Sequence, residues 1–161
     1  MSQMPKIEES DFRALDSFRL KWRWTDTRWN KLPNNALSSI HPLSESKAHE
    51  LFHYLLAFSD HFGLIEPLFE STSRINTFNN SSEIRQWLLE QTSDLNQTVI
   101  VSWNKELAVL VSWKVFCDYW DDFCYPSSDD VAIFPQSGGW MLIYSHEEYF
   151  MFGKAIIKDS A

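Results

Sequence analysis

Residues 107–153 read LAVLVSWKVFCDYWDDFCYPSSDDVAIFPQSGGWMLIYSHEEYFMFG, and this stretch predicts a strand, a helix and three further strands. Aromatic residues recur in its first part at spacings of three and four, which places them along one stripe of a helix. They are Trp113, Phe116, Trp120 and Phe123. Because such a stripe needs a second layer to cover it, we expect the strands to form a sheet against the helix.

Three apolar segments follow the predicted helix and are separated by short polar breaks. The segments are residues 131–134, 140–144 and 149–152. The breaks, PQSGG and SHEE, contain Pro135 and the pair Gly138 and Gly139, which suit tight turns between antiparallel neighbours. We therefore predict a C-terminal meander.

Residues 18–25 alternate between apolar and basic side chains. This period of two predicts a strand in which Trp22 and Trp24 face the core and Arg23 faces away from it. Basic residues between tryptophans are also typical of surfaces that bind single-stranded nucleic acid. Strand alternation explains the pattern here, so we do not expect nucleic-acid binding.

Further elements are predicted from caps and apolar spacing. A short helix covers residues 36–40, a longer helix begins after Ser44 and ends near Gly63, and Ser82 caps another helix. Residues 64–82 are expected to be irregular. Residues 98–103 and 107–111 form a hairpin. The fold class is therefore α+β, with an antiparallel sheet of about five to six strands packed against three to four helices.

Composition indicates one globular domain over residues 1–161, with about eight N-terminal and six C-terminal residues loosely held. Neither a signal-peptide segment nor a run long enough to cross a membrane occurs. Cys117 and Cys124 are seven residues apart on the predicted helix, about 10 Å along its axis, which is too far for a disulfide. We therefore expect two thiols and a soluble cytoplasmic protein.

The net charge of −8 is concentrated late in the chain. Neither lysine nor arginine occurs between Lys114 and Lys154. Seven carboxylates fall there: Asp118, Asp121, Asp122, Asp129, Asp130, Glu147 and Glu148. Such a surface repels nucleic acid and membrane surfaces and attracts a cationic partner, so these seven residues are the predicted binding surface for a basic protein. The alternative is a solvated face that only keeps the protein soluble. The pattern leaves the oligomeric state open.

The sequence HELFH at residues 49–53 matches the H-E-x-x-H pattern of zinc hydrolases. His49 and His53 are one helical turn apart and suit one Zn²⁺, while Glu50 suits the role of general base. The extended motif fails, because Leu56 and Ser59 occupy its glycine and third histidine positions. His61 is the nearest substitute for the third ligand.

Three segments resemble a known bacterial family in their order and spacing. They are FRLKWRWTDTRWNKLP, SIHPLSESKAHELFHYL and TVIVSWNKELAVLVSWKVFCDYWDDFCYPSSDDV. The chain is similar there to the family labelled domain of unknown function 2947, over about two thirds of its length. This resemblance implies a cytosolic α+β domain and carries over no functional residue. More loosely, the closing order of strand, helix and meander resembles immunity proteins of bacterial toxin systems, which are small, acidic and non-enzymatic.

Two functions from different classes therefore stand side by side. The first is a non-catalytic protein-binding module with an acidic surface, which in the immunity-protein case would neutralise a toxin and needs no cofactor. The second is a small zinc-dependent hydrolase that uses Glu50 with His49, His53 and His61. The missing third ligand favours the binding module.

Overall fold

The computed structural model describes residues 3–60, 63–78 and 80–157. These residues contain nine strands, six helices and three short 3-10 turns. The strands are β1 (His41–Pro42), β2 (Ser59–Asp60), β3 (Gly63–Leu64), β4 (Phe69–Asn76), β5 (Thr98–Ser102), β6 (Ala108–Ser112), β7 (Val131–Pro135), β8 (Met141–Ser145) and β9 (Tyr149–Ile156). The helices are α1 (Trp22–Thr25), α2 (Asn34–Leu37), α3 (Glu45–Leu55), α4 (Ser81–Gln91), α5 (Trp113–Asp118) and α6 (Trp120–Phe123).

Seven of the strands form one antiparallel sheet in the order β1-β6-β5-β7-β8-β9-β4. The fold class and the C-terminal meander β7-β8-β9 are confirmed, and the sheet has one strand more than the upper expectation. The β5-β6 hairpin is also confirmed, with Ile100 opposite Leu110 at its centre. Gly138 and Gly139 both have positive φ in the β7-β8 turn, as tight-turn geometry requires.

The sheet has a core on each face, because successive side chains of a strand point to opposite sides. On one face, Val99 and Val101 pack with the aromatic stripe Trp113, Phe116, Trp120 and Phe123 under the short helices. On the other face, Ile100 and Phe134 pack against α3. We call these the helix-layer face and the α3 face.

Residues 18–25 do not form the predicted strand. Residues 22–25 form one helical turn, α1, in which the adjacent residues Arg23 and Trp24 are both buried. A strand would send these neighbours to opposite faces, whereas a helical turn directs both toward α6. The tertiary contacts of the two side chains therefore outweigh the local alternation.

Residues 64–82 are not irregular, because they contain the eight-residue strand β4. β4 lies at the edge of the sheet and most of its side chains are exposed, so its sequence FESTSRIN lacks the apolar alternation that indicates a half-buried strand. Part of the prediction for the neighbouring helix was also wrong. Asn80, not Ser82, is the N-cap of α4, and its side chain accepts a hydrogen bond from the Ser82 amide.

Helix boundaries differ from the predictions at three other places. Ser44 is the N-cap of α3 as predicted, but α3 ends at Leu55, well before Gly63, and the chain then enters the β2-β3 hairpin. The predicted helix that carries the aromatic stripe is divided into α5 and α6, because Tyr119 between them has φ −126°. The short helix α2 begins two residues earlier than predicted.

Gly153 is required by a close approach in the β9-β4 pair. A Cβ atom at this position would lie 2.5 Å from Cδ1 of Phe69, whose ring covers the glycine. We expect Gly153→Ala to lower the free energy of unfolding by about 1–3 kcal/mol, because the ring has to move within a packed core. Chemical denaturation measures the loss. The penalty should shrink in a Phe69→Leu background, and an equal penalty in both backgrounds would contradict this explanation.

Candidate functional site

A groove of about 840 Å³ opens on the α3 face of the sheet. Its floor includes Ser102, Ala132 and Ile143, which are paired side by side across β5, β7 and β8. The small side chains of Ser102 and Ala132 leave room above the sheet. The C-terminal end of α3 and the β2-β3 hairpin line one side of the space. We call it the α3 groove, and its volume lies within the range typical of ligand sites.

One wall of the α3 groove is apolar. Phe52, Leu55 and Leu56 of the α3 end line it. Leu56 is 51% exposed, which is unusual for a large apolar side chain next to a concave surface. Trp103 and Asn104 from the β5-β6 turn also line the groove. An exposed apolar wall of this kind is typical of surfaces that bind another molecule.

The charged side chains that line the α3 groove are of both signs, with one more acid than base. Asp60, Asp130 and Glu147 contribute carboxylates, and Arg74 and His146 are the basic residues. The Arg74 guanidinium lies over the Tyr149 ring, 3.9 Å from its centroid. The carboxylates exceed the basic groups by one, which leaves a small negative excess at the groove.

Asp130 and His146 form a contact at this groove. His146 Nδ1 lies 3.0 Å from Asp130 Oδ1, and the His146 backbone amide donates to the same oxygen at 3.0 Å. The Asp130 carboxylate accepts a hydrogen bond from the protonated ring, which raises the pKa of His146 and favours its positive form. Both side chains are more than half exposed. Asp130 therefore fixes the turn between β8 and β9, because its carboxylate binds both the backbone amide and the ring of His146.

Asp129, the residue before Asp130, lies on the opposite side of the sheet and is buried. Its carboxylate accepts two hydrogen bonds from Arg23, at 2.6 and 3.2 Å, and one from the Tyr125 amide at 2.8 Å. The Arg23 guanidinium also lies 4.0 Å from the centroid of the Tyr125 ring. Two adjacent aspartates therefore have different roles, one inside the core and one at the groove.

The seven predicted surface acids are not one patch. Asp122 and Asp129 are 7% and 8% exposed and are held by internal partners, so they are unable to contact a protein partner. Asp118 is paired with Lys114 at 2.6 Å. Asp130 and Glu147 line the α3 groove, whereas Asp121 is exposed on α6 and Glu148 is half-buried with φ 67°. The sequence locates the charge but does not separate buried from exposed members.

Burial raises the pKa of Asp122 to about 6, and the Asp121 charge adds to this effect. Between about pH 4 and 6 the folded protein keeps a proton that the unfolded chain releases, so stability falls as the pH rises through this window. We expect Asp122→Asn to be more stable than the parent at pH 7, by about 1 kcal/mol, and equally stable near pH 4. Denaturant melts across this window measure the difference.

Asp16 supplies the control for this experiment, because it is exposed. Asp16→Asn should leave the pH dependence of stability unchanged. If Asp122→Asn keeps the parent's fall in stability between pH 4 and 6, another group is responsible for it.

His49, Glu50 and His53 all lie on the exposed side of α3. Glu50 is bound by the Lys47 ammonium group at 2.7 Å, and Lys47 also lies 3.8 Å from Asp11. Within residues 3–60, 63–78 and 80–157 no group of three potential metal ligands occurs. His61 lies outside the described residues. The zinc hypothesis therefore stays a prediction.

The two cysteines are free and buried. Burial raises the pKa of both thiols, Cys117 and Cys124, above the usual range. A thiol nucleophile acts as the thiolate, so this environment does not favour catalysis by either one. Cys124 follows the last residue of α6 and is not part of the helix.

No pattern in the sequence identifies several residues of the α3 groove as members of one site. Ser102, Arg74 and Tyr149 come from three strands that meet only in the folded sheet. Ser102 is 2% exposed, and its Oγ has no hydrogen-bond partner among the described residues. Its position beside Ala132 depends on the pairing of β5 with β7, which periodicity within one strand does not reveal.

Within the part of the chain that the structure describes, no helix has the length and apolar character needed to span a membrane. No protein-family model matches the chain, and no curated protein and no solved structure matches it. The two resemblances drawn from the sequence stay hypotheses.

Proposed function

We propose that this protein is a non-catalytic binding module whose α3 groove holds a segment of a basic partner protein. The observation that carries the proposal is the composition of the groove, which combines an exposed apolar wall with carboxylates. Apolar contact supplies affinity, and charge complementarity supplies orientation and a fast association rate. The segment it fits has apolar and basic side chains in alternation.

The apolar part of the proposal depends on the α3 end. Leu56 is half-exposed and Phe52 is half-buried beside it, so both have surface that a partner would remove from water. Apolar side chains from a partner would lie between this wall and Ile143 on the floor. Removal of apolar surface from water contributes roughly 25 cal/mol per Å², which makes this wall the main source of affinity.

The charged part of the proposal depends on Asp130 and Glu147. Both are exposed, and they lie at the β7 start and in the β8-β9 turn. A lysine or arginine of the partner would be attracted to these carboxylates, and the attraction would weaken with added salt. The partner's basic residues would therefore lie toward this end of the groove.

The polar groups near the groove support binding rather than catalysis. Asp130 holds the backbone and ring of His146, and the Ser145 hydroxyl accepts a hydrogen bond from the Glu147 amide at 3.1 Å. These contacts fix the β8-β9 turn. The His146 ring contacts Asp130, and among the described residues no hydrogen bond joins it to the Ser145 hydroxyl.

The partner and the compartment are part of the same proposal. Two free thiols fit a reducing cytoplasm. In the immunity-protein case the basic partner would be a toxin, and binding would neutralise it.

The proposal is tested with labelled synthetic peptides of about ten residues that alternate leucine with lysine, serine with lysine, or leucine with glutamate. Fluorescence anisotropy measures the affinity at low salt. We expect binding of the leucine-lysine peptide alone. Asp130→Lys/Glu147→Lys should weaken this binding at least tenfold, and Leu56→Asp should weaken it similarly.

The matched control reverses two exposed acids away from the groove, Asp121→Lys/Glu90→Lys. This variant has the same net charge as the groove variant, so general electrostatic attraction would lower affinity equally in both. Equal loss would overturn the groove as the binding site. Failure of the parent protein to bind any of the peptides would overturn the proposed function.

A further inference from the structure

The two edges of the seven-stranded sheet are protected very differently. At one edge, β1 has only two residues and one of them is Pro42, which lacks an amide donor. The N-terminal segment also covers this edge, since the Arg13 amide donates to the Pro42 carbonyl and Phe12 forms a bridge with Leu43. These are the features by which natural proteins prevent edge-to-edge pairing.

At the other edge, no strand among the described residues pairs with the outer side of β4, and the Ser73 hydroxyl donates a hydrogen bond to Gln91 of α4 at 3.4 Å. β4 is eight residues long, and β9 is its neighbour in the sheet. Its centre, Ser71, Thr72 and Ser73, contains neither proline nor lysine. An edge strand of this length presents backbone donors and acceptors along about 26 Å, which suits pairing with another strand.

The charges of β4 are arranged symmetrically about its centre. Glu70 lies two residues before Thr72, and Arg74 lies two residues after it. When a strand pairs antiparallel with its own copy about a twofold axis at Thr72, each Glu70 lies opposite the copy's Arg74. Opposite charges in facing positions stabilise a strand pair, and like charges destabilise it.

An exposed aromatic ring lies just beyond the same edge strand. Phe78 follows β4 by two residues and is 68% exposed, the highest value of any large apolar side chain described. In the antiparallel arrangement about Thr72, Phe78 comes opposite the other copy's Glu66, which lies in a 3-10 turn before β4. The proposed pairing is therefore supported by the strand edge and its charges, and not by this ring.

We propose that β4 pairs antiparallel with β4 of a second copy of this chain, with the twofold axis at Thr72. Two observations support this proposal. The outer side of β4 is unpaired, and Glu70 and Arg74 are placed so that each faces its opposite charge in the second copy. The result is a homodimer with one continuous sheet through both subunits. Arg74 belongs to both the edge strand and the lining of the α3 groove, but the proposal rests on the strand edge and not on a ligand in the groove.

Sedimentation equilibrium of the purified full chain over a concentration series tests the proposal. We expect a monomer-dimer equilibrium in the parent. Glu70→Arg should raise the dissociation constant about tenfold, since each dimer then has two facing pairs of like charge. The double variant Glu70→Arg/Arg74→Glu restores opposite charges and should recover dimerisation. A parent that is monomeric at every concentration would overturn the proposal.

Disulfide trapping tests the position of the axis. Thr72→Cys places two thiols in directly facing positions, within the Cα separation that a disulfide needs. Ser73→Cys is the matched control, because the two copies of this exposed residue are offset along the strands to about 8 Å. Mild oxidation should cross-link the first variant and not the second. Equal cross-linking of the two, or none in either, would overturn the proposed register.

Discussion

Arg23→Ala is expected to lower the free energy of unfolding by about 3–5 kcal/mol, because it leaves the buried Asp129 carboxylate without its counter-ion. The side chains of this ion pair are 6% and 9% exposed, and Nη1 of Arg23 lies 2.6 Å from Oδ2 of Asp129. Arg23 also donates to the Phe123 carbonyl at 3.4 Å, so the substitution loosens α1 from α6. Thermal denaturation should show a midpoint lowered by roughly 10 °C.

A second ion pair in the same segment is the control for this prediction. Arg28 and Asp26 are 2.7 Å apart, but the Arg28 side chain is 83% exposed. Arg28→Ala should leave the midpoint unchanged within error, because solvent screens an exposed pair. The double variant Arg23→Met/Asp129→Leu should recover much of the lost stability, since it leaves no buried charge unpaired. If the double variant is as unstable as Arg23→Ala, the loss of stability comes from lost packing and not from an unpaired buried charge.

Trp24→Ala is expected to have an effect of similar size, about 3–5 kcal/mol, through the loss of a fully buried ring. Trp24 is 0% exposed and packs against Phe18 and Phe123, with ring centroids 5.8 and 5.0 Å away. Its Nε1 donates to the Asp122 carbonyl at 3.0 Å. The substitution therefore leaves both a cavity and an unpaired carbonyl at the end of α6. Denaturant unfolding followed by circular dichroism measures the loss.

Trp29→Ala is the matched comparison for Trp24→Ala, since it makes the same change five residues later on a ring that is 57% exposed. It should cost about 1 kcal/mol or less. Trp24→Phe, which keeps most of the apolar volume but lacks the indole donor, should fall between the two. Similar losses at Trp24 and Trp29 would contradict the difference in burial on which this prediction rests.

The contacts of Arg23 and Trp24 explain why residues 18–25 do not form the strand that their sequence predicts. The alternation of tryptophan with basic residues is compatible with a strand, and sequence contains no sign that Arg23 has a buried partner 106 residues away. Asp129 neutralises Arg23 inside the core, and α6 offers carbonyls to both Arg23 and Trp24. A helical turn satisfies these contacts, and a strand would satisfy one side chain and expose the other.

Long-range contacts also explain why two of the seven predicted surface acids are buried in the structure. Sequence identifies every carboxylate in residues 115–153, but Asp122 is held by Asn30 at 2.8 Å and Asp129 by Arg23. Partners so distant in the chain leave no local pattern. The α3 groove was not predicted for a related reason, since its residues come from six separate segments.

The sequence by itself determined the α+β class, the β5-β6 hairpin and the meander, because each depends on patterns within a few residues: apolar runs, turn glycines and the aromatic stripe. It also determined that charge is unevenly distributed. Only the tertiary structure decided which acids are buried, which edge of the sheet is unprotected, and where a groove opens. These properties depend on contacts between residues far apart in the chain, which form only when the sheet and its helices pack together.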